Sequence, residues 1–229
     1  MGHPNLLLAS LSAKDGQLLW PHLKTVELRY GEVLARSQED IRRVYFPHSG
    51  IVSFMVEMRD EPMVQTGMVG RDGAVGAIQA LDDKVSLNKI IVHVPGEASI
   101  VDSDRMRVAA QDSPNIRSLL VAHEEVFVAD VQQSVACNAL HRVEQRMCRW
   151  LLRMNDLVGM EMPLTQDLLS AMLGVKRTTV SVVASSLQNA GVIEYRRGHV
   201  HVLNIERLKK LSCECHGAVK EHYDRLFKR

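Results

Sequence analysis

Short runs of apolar and β-branched residues recur along the first hundred or so positions of this chain. Turn signals separate them, among them Gly31, Pro47 to Gly50, and Gly70 to Gly73. Strands at a spacing of roughly 8 to 12 residues are typical of a sandwich or jelly roll. Helices do not alternate with these runs, which argues against a parallel α/β sheet. The predicted strands are Thr25 to Leu28, Glu32 to Ala35, Arg43 to Phe46, Ile51 to Glu57, Met63 to Met68, Lys89 to Val94 and Ala98 to Val101.

The apolar positions adopt a helical period on both sides of this region. Asn5 to Leu23 is predicted to be helical, with Ser12, three residues before Asp15, as a cap. A long helix is predicted from about Ser113 to Ala139. Its apolar residues occupy more than one face, so it must pack on two partners.

The simplest two partners are the β domain of the same chain and the same helix of a second subunit. We therefore expect a homodimer; an intrachain bundle is the alternative. His123 and Asp130 lie seven residues apart on this surface, where polar side chains can set the register of paired helices. The expected dimer residues are Ile116, Leu119, Leu120, His123, Val126, Phe127 and Asp130.

Two short helices joined by a tight turn are predicted between Thr165 and Ala190. Thr165 is a suitable N-cap, and Gly174 can adopt the positive φ of a sharp turn. Val175, Val180 and Val183 are expected to lock the second helix onto the first. This layout indicates a helix-turn-helix, whose second helix presents a small, polar face to a DNA groove. Two ordinary core helices would explain the apolar positions equally well.

A preceding helix, His141 to Leu157, is rich in arginine. A solvated face is the expected position for most of these arginines, and the side nearest DNA phosphates is the alternative. The break from Asn138 to His141 is the candidate hinge between domains. The arginines are Arg142, Arg146, Arg149 and Arg153.

A hairpin with a basic tip follows the two helices. Its strands are predicted at Val192 to Tyr195 and His199 to Leu203, and Arg196 and Arg197 lie between them. Asn204 then caps a closing helical segment that is interrupted near Cys213.

The charge is unevenly distributed, although the net charge of the chain is only +1. Residues 1–140 carry 13 Lys/Arg and 18 Asp/Glu, whereas residues 141–229 carry 15 and 9. A basic C-terminal part is expected if only that part meets a polyanion. At 229 residues two domains are expected, and no apolar run is long enough for a membrane span. We expect a soluble cytoplasmic protein with reduced cysteines.

The order of these parts resembles the Crp/Fnr family of bacterial transcription regulators. The resemblance is strongest in VEQRMCRWLLRM (143–154) and LTQDLLSAMLGVKRTTVSVVASSLQNAGVIEYRRGHVHVLN (164–204), and weaker in VYFPHSGIVSF (44–54). It implies an α+β fold with an N-terminal cyclic-nucleotide-binding-like β jelly roll, a long dimerisation helix and a C-terminal winged helix-turn-helix. The implied domains are 1–112, 113–140 and 141–229.

The effector residues of the family are absent. Members that bind cyclic nucleotides carry Gly-Glu and, about ten residues on, Arg-Ser-Ala, whose arginine pairs with the phosphate. Here Ala77 follows Gly76, and Leu87, Asn88 and Lys89 stand in place of the second motif. No cAMP of the usual kind is expected, although Lys89 leaves room for another anionic ligand. Members with an iron–sulfur cluster need N-terminal cysteines, and this chain has none before Cys137. No cofactor is therefore expected, and the effector site stays unknown.

The resemblance assigns roles in the second helix of the pair. Arg177 is expected to contact guanine. Thr178 and Val182 replace a glutamate and an arginine of the common family pattern and are expected near thymine methyl groups. Thr179 is expected at a phosphate. The full set of predicted DNA-binding residues is Thr165, Gln166, Lys176, Arg177, Thr178, Thr179, Ser181, Val182, Ser185, Arg196 and Arg197.

The expected activity is thus sequence-specific binding of a dimer to a two-fold symmetric duplex, with RNA polymerase as a further partner and no catalysis. Two alternatives are a cupin-like jelly-roll metal enzyme and a sensor that acts through protein contacts. The segment Cys213-Glu-Cys215-His216 is expected to hold packing thiols, because two cysteines two positions apart on one helix point to different faces. No metal is expected.

Overall fold

The computed structural model describes residues 2–82 and 84–227 and divides into two compact units. Of the described residues, the first unit comprises 2–55, 67–82, 84–128 and 222–227. The second comprises residues 56–66 and 129–221. The division falls inside the long helix that the sequence predicts, rather than at either of its ends.

The strands of the β-rich part of the chain pair in two antiparallel sheets, as the jelly-roll prediction requires. One has the order β1-β7-β3 and the other β2-β6-β4-β5. In the first sheet, Lys24 of β1 pairs with Ile100 of β7, and Val44 of β3 pairs with Val101. All seven predicted strands are present within a residue or two. They are β1 (Lys24–Leu28), β2 (Val33–Ala35), β3 (Arg43–Pro47), β4 (Ile51–Val56), β5 (Val64–Val69), β6 (Lys89–Val94) and β7 (Gly96–Asp102).

The segment Asn5 to Leu23 is helical as predicted, but it is divided into three short pieces. The segment forms α1 (Leu6–Ala9), α2 (Ala13–Gly16) and a 3₁₀ turn at Trp20–His22. Ser12 caps a new helix at Ala13, and Gly16 and Pro21 disfavour continuation of that helix, which explains the breaks. The predicted cap is present, since the Ser12 hydroxyl accepts from the backbone N–H of Asp15 at 3.1 Å.

The helix α3 (Ala77–Ala80) lies between β5 and β6, and α4 (Ser103–Asp112) and α5 (Pro114–Leu140) follow the last strand. The sequence analysis predicts α5 almost to the residue and misses α3 and α4. Ile116 and Leu120 of α5 join Leu7, Val44 and Met106 in a buried cluster of the first unit. A second cluster fills the sheets, where the rings of Phe54 and Phe127 lie 4.7 Å apart.

The second unit is a winged helix-turn-helix. Val180, Leu187 and Val200 are fully buried within it, and its small sheet has the order β8-β10-β9. Among the described residues, no helix is both long and apolar enough to cross a membrane. Its elements are α6 (Val143–Val158), β8 (Glu161–Pro163), α7 (Gln166–Leu173), α8 (Arg177–Asn189), β9 (Ile193–Arg196), β10 (His199–Val202), α9 (Ile205–Leu211) and α10 (Cys215–Phe227), the last of which ends in the first unit.

Candidate nucleic-acid interface

The turn between α7 and α8 is built as the sequence predicts. The hydroxyl of Thr165 accepts from the backbone N–H of Leu168 at 3.1 Å and caps α7. Gly174 ends α7 with φ +60° and ψ +39°, a left-handed conformation that glycine adopts at little cost. Ser170 then donates from its hydroxyl to the carbonyl of Val175, which ties the turn to α7. The angle between the two helices is thus fixed by local hydrogen bonds.

One face of α8 is buried and the other is open. Val180, Ala184 and Leu187 are at most 2% exposed and hold the helix against the unit. On the outer face Val182 is 70% exposed, although an aliphatic side chain gains by burial. Arg177 and Thr178 are also exposed. A helix with this open polar face fits a DNA major groove.

Gln166 connects the two helices on the open side. Its Oε1 accepts from Arg177 Nε at 2.9 Å and from the Ser181 hydroxyl at 3.1 Å. Asp167 lies 3.5 Å from Arg177 Nη1, and both side chains are more than half exposed. Arg177 is therefore held in place at its Nε, while the solvent-exposed guanidinium still has donors for an acceptor such as a base edge.

The wing between β9 and β10 has a tight two-residue tip. Arg197 and Gly198 both have positive φ, at +50° and +79°, which is the pattern of a type I′ hairpin turn. His199 pairs with Arg196 across the hairpin. A Cβ on Gly198 would meet the Thr165 methyl at 3.6 Å, so the wing tip lies beside the start of α7. The basic tip and the exposed end of α7 consequently form one continuous surface.

The predicted DNA-binding residues share this surface. None of them is buried: Gln166, Thr179 and Ser181 are half-buried, and the other eight are exposed. The sequence analysis misses the strand β8, which completes the wing sheet by pairing Met162 with Val200. It also misses the hydrogen bond from the backbone N–H of Tyr195 to Gln188 Oε1 at 2.8 Å, which anchors β9 to α8.

The predicted position of most α6 arginines is wrong. Arg146, Arg149 and Arg153 are 8%, 3% and 7% exposed, so they lie neither on a solvated face nor on a phosphate-facing side. Buried cations need partners. Arg149 Nη2 donates to Asp130 Oδ1 at 2.7 Å, and Arg146 Nη2 donates to the carbonyl of Leu173. Arg146 and Arg149 therefore make buried contacts inside the second unit.

The residues predicted for the dimer contact lie mostly inside the chain. Ile116, Leu120, His123 and Asp130 are only 1–2% exposed. His123 Nε2 accepts from the backbone N–H of Ala74 at 3.3 Å. A side chain covered by its own chain offers little surface to a second one, so the more exposed residues of α5 are better placed for the expected dimer contact. Leu119, Val126 and Phe127 are half-buried.

The prediction that Cys213 and Cys215 lie on one helix is wrong, because the two residues form part of a cysteine cluster in the second unit. Cys213 lies before α10 and Cys215 begins it, so the two do not share one helix. They meet Cys137 and His141 from the end of α5, and the four donor atoms lie within 4.8 Å of one another. Burial, together with the neighbouring Cys213 thiol, raises the pKa of Cys137 to about 12. Within the described residues, these four side chains form the group that could hold a metal ion.

The fold and the site define a winged helix-turn-helix protein that carries a β-rich N-terminal unit. Residues 145–211 match the family model described as the Crp-like helix-turn-helix domain. No curated protein matches the sequence.

Solved structures match nearly the whole chain in fold. FixK2 from Bradyrhizobium japonicum is 17% identical with a TM-score of 0.72, and the match covers 83% of this chain and 98% of FixK2. The c-di-GMP-responsive global regulator CLP of Xanthomonas campestris is 16% identical with a TM-score of 0.69, over 84% and 100% of the two chains. A CRP/FNR-family transcriptional regulator from Thermus thermophilus is 20% identical with a TM-score of 0.69, over 82% and 98%. Residues 145–211 are therefore similar to the Crp-like helix-turn-helix domain, and the chain shares the fold of these solved Crp/Fnr regulators.

Proposed function

We propose that the chain is a homodimeric transcription regulator of the Crp/Fnr type that binds a specific, two-fold symmetric DNA site. The observation that carries this proposal is the open face of α8, where Arg177 is held by Gln166 beside a wing tipped with Arg196 and Arg197. Arg177 supplies a bidentate donor for guanine, and the exposed Val182 supplies an apolar contact for a thymine methyl group. The two wing arginines supply phosphate contacts, which position the protein without reading sequence.

The proposed dimer seam runs along α5 through three exposed valines. Val121, Val128 and Val135 are spaced seven residues apart and are 38%, 43% and 66% exposed. The half-buried Glu124 and Val131 lie between them in the sequence. A seven-residue repeat of β-branched residues is typical of parallel two-stranded helix pairs. The occupant that fits such a stripe is the same stripe of a second copy.

The β domain is proposed to lack the usual cAMP contacts. Ala77 begins α3 at 4% exposure and offers no carboxylate to a ribose. Leu87, where the phosphate-binding arginine would stand, is 73% exposed and uncharged. Isothermal titration with cAMP should give no saturable heat, and saturable binding would contradict this part of the proposal.

The DNA proposal is tested by selecting duplexes from a random pool with the full chain and measuring the affinity of the selected duplex by fluorescence anisotropy. Arg177→Ala should weaken binding by about 5- to 150-fold, the range of one bidentate base contact. Arg29→Ala, at an arginine of the β domain that is also largely exposed, is the matched control and should change nothing. Failure to select any duplex, or equal affinities for the wild type and Arg177→Ala, would refute the proposal.

A further inference from the structure

A cluster of four side chains in the second unit is left unused by DNA recognition. Cys137 is in the last turn of α5 and His141 directly follows that helix. The backbone N–H of His141 donates to the carbonyl of Cys137 at 3.0 Å, so the two residues lie on one face, one turn apart. Cys213 lies in the connection between α9 and α10, and Cys215 is the first residue of α10. Cys137, Cys213 and Cys215 are 1%, 5% and 1% exposed, so the site is closed to solvent on its sulfur side.

The distances between the donor atoms match one tetrahedral ion. Cys137 Sγ lies 3.6 Å from Cys213 Sγ, and Cys215 Sγ lies 3.6 Å from His141 Nδ1. With Zn–S near 2.3 Å and Zn–N near 2.0 to 2.1 Å, a tetrahedron has edges of about 3.8 Å between sulfurs and about 3.6 Å between sulfur and nitrogen. The longest separation is at most 4.8 Å. A cluster of several iron atoms would hold its outer ligands farther apart than a single ion does.

We propose that Cys137, His141, Cys213 and Cys215 bind a single Zn²⁺ ion as a closed, structural site. Three thiolates and one imidazole are a ligand set that zinc prefers, and four protein ligands leave no position for a reacting water. Binding releases the three thiol protons to solvent. The ion joins the end of α5, the connection to α6 and the connection before α10, all within the second unit. This differs from the sequence-based expectation that no metal is bound.

The surroundings of the ligands are those of a metal site. Glu214 Oε1 lies 3.4 Å from His141 Nε2, so a carboxylate can accept from the imidazole nitrogen that faces away from the cluster. This is the arrangement that fixes the tautomer of a zinc-bound histidine. Gln133 Nε2 donates to Cys215 Sγ at 3.1 Å, and such a hydrogen bond stabilises a thiolate.

The charges balance only when the thiols are ionised. Zn²⁺ with three thiolates and a neutral histidine carries one net negative charge. Arg146 is 8% exposed, interacts electrostatically with Cys137 and Cys213, and has no carboxylate ion-pair partner among the described residues. The guanidinium of Arg146 donates a hydrogen bond to the carbonyl of Leu173, which is neutral. A buried cation of this kind is stabilised by a nearby anion, which the metal–thiolate centre provides.

The test uses the full-length wild type, purified under reducing conditions and stripped of metal with a chelator. Titration with Zn²⁺ against a chromophoric chelator then measures the zinc affinity. Native mass spectrometry should give one zinc per chain. Co²⁺, titrated in its place, should give the visible absorption of a tetrahedral thiolate complex. Both measurements use the intact protein, so they decide the proposal even if a variant fails to fold. No zinc uptake, a Cys137–Cys213 disulfide in the reduced preparation, or an iron–sulfur chromophore would overturn it.

Variants then assign the ligands. Cys213→Ala should weaken zinc binding by more than about 100-fold, because losing a ligand costs more than the roughly 10- to 100-fold usual for an outer partner. Cys148→Ala is the matched control, since Cys148 is a buried cysteine outside the cluster. Glu214→Gln should weaken binding by about 10-fold. Equal losses in Cys213→Ala and Cys148→Ala, measured on variants with native circular dichroism, would remove Cys213 from the site.

Discussion

The buried ion pair between α5 and α6 gives the sharpest test of how the second unit is held together. Arg149 Nη2 and Asp130 Oδ1 are 2.7 Å apart, and the two side chains are 4% and 3% exposed. Asp130→Asn keeps the size of the side chain and an acceptor oxygen but removes the charge. It leaves the guanidinium of Arg149 buried without its counter-ion.

The expected loss is large because of this burial. Removing one partner of a buried pair costs about 3–5 kcal/mol, since the remaining charge is desolvated and uncompensated. The exposed pair of Arg177 and Asp167, 3.5 Å apart in the same unit, is worth no more than about 1 kcal/mol. Asp167→Asn is therefore the matched control: the same change, made where water screens the charge.

Tryptophan fluorescence can follow each unit separately, because the chain has two tryptophans. Trp20 lies in the first unit, and Trp150, which is 2% exposed, lies in the second. In a Trp20→Phe background, the emission of Trp150 reports urea unfolding of the second unit. With a slope of about 1–3 kcal/mol per molar urea, a loss of 3 kcal/mol lowers the midpoint by about 1–3 M.

The reasoning fails if Asp130→Asn lowers the midpoint no more than Asp167→Asn does. It also fails if the main effect is a concentration-dependent dissociation of the dimer with an unchanged midpoint. In that case Asp130 would act between subunits, as the sequence pattern suggests, and the contact to Arg149 would carry little energy.

Three further outcomes are expected. Val128→Asp should yield a single-chain mass in sedimentation equilibrium, because it buries a carboxylate in the proposed seam. Val108→Asp, at a similarly exposed valine of α4, is the control and should leave the mass unchanged. A dimeric Val128→Asp would exclude this seam. Arg197→Ala should weaken binding to all duplexes alike and lower the salt slope by about 1, and a loss confined to one sequence would argue against a phosphate contact. Hydrogen bonds, that of Ser113 foremost, hold the pKa of Asp15 below its usual value, so the ionised carboxylate stabilises the fold above about pH 4 and this stabilisation is lost as the pH falls through the lower folded pKa. Ser113→Ala should therefore lower the unfolding midpoint at neutral pH, and the difference from the wild type should shrink on acidification. A difference in midpoint that does not change with pH would contradict this role.

The sequence predicts the strands and the helix-turn-helix well because local signals are strong there. Alternating β-branched runs with turn residues between them leave few options for strands β1 to β7. Thr165 and Gly174 mark the ends of α7 by their chemistry alone. The helix α4 is missed because its segment SDRMRVAAQD has few large apolar residues and no sustained period.

Burial of charged and sulfur-bearing side chains is what the pattern fails to predict. Arg146, Arg149 and Arg153 look like a solvated stripe because arginine is almost always exposed. Their burial depends on partners such as Asp130, which no local rule connects with α6. Part of the cysteine cluster is visible in the sequence, because Cys137 and His141 stand one helical turn apart. About seventy residues separate this pair from Cys213, so the pattern does not predict that they meet.

Arg197 at the wing tip shows a compromise between folding and function. It is an arginine at φ +50°, where asparagine or glycine fits a type I′ turn better and most other residues lose about 1–2 kcal/mol. Selection for stability alone would replace it. Arg197→Asn should therefore raise the urea midpoint of the second unit while it lowers affinity for DNA. The strain of one turn residue would then measure how much fold stability is given up for a positive charge at the wing tip.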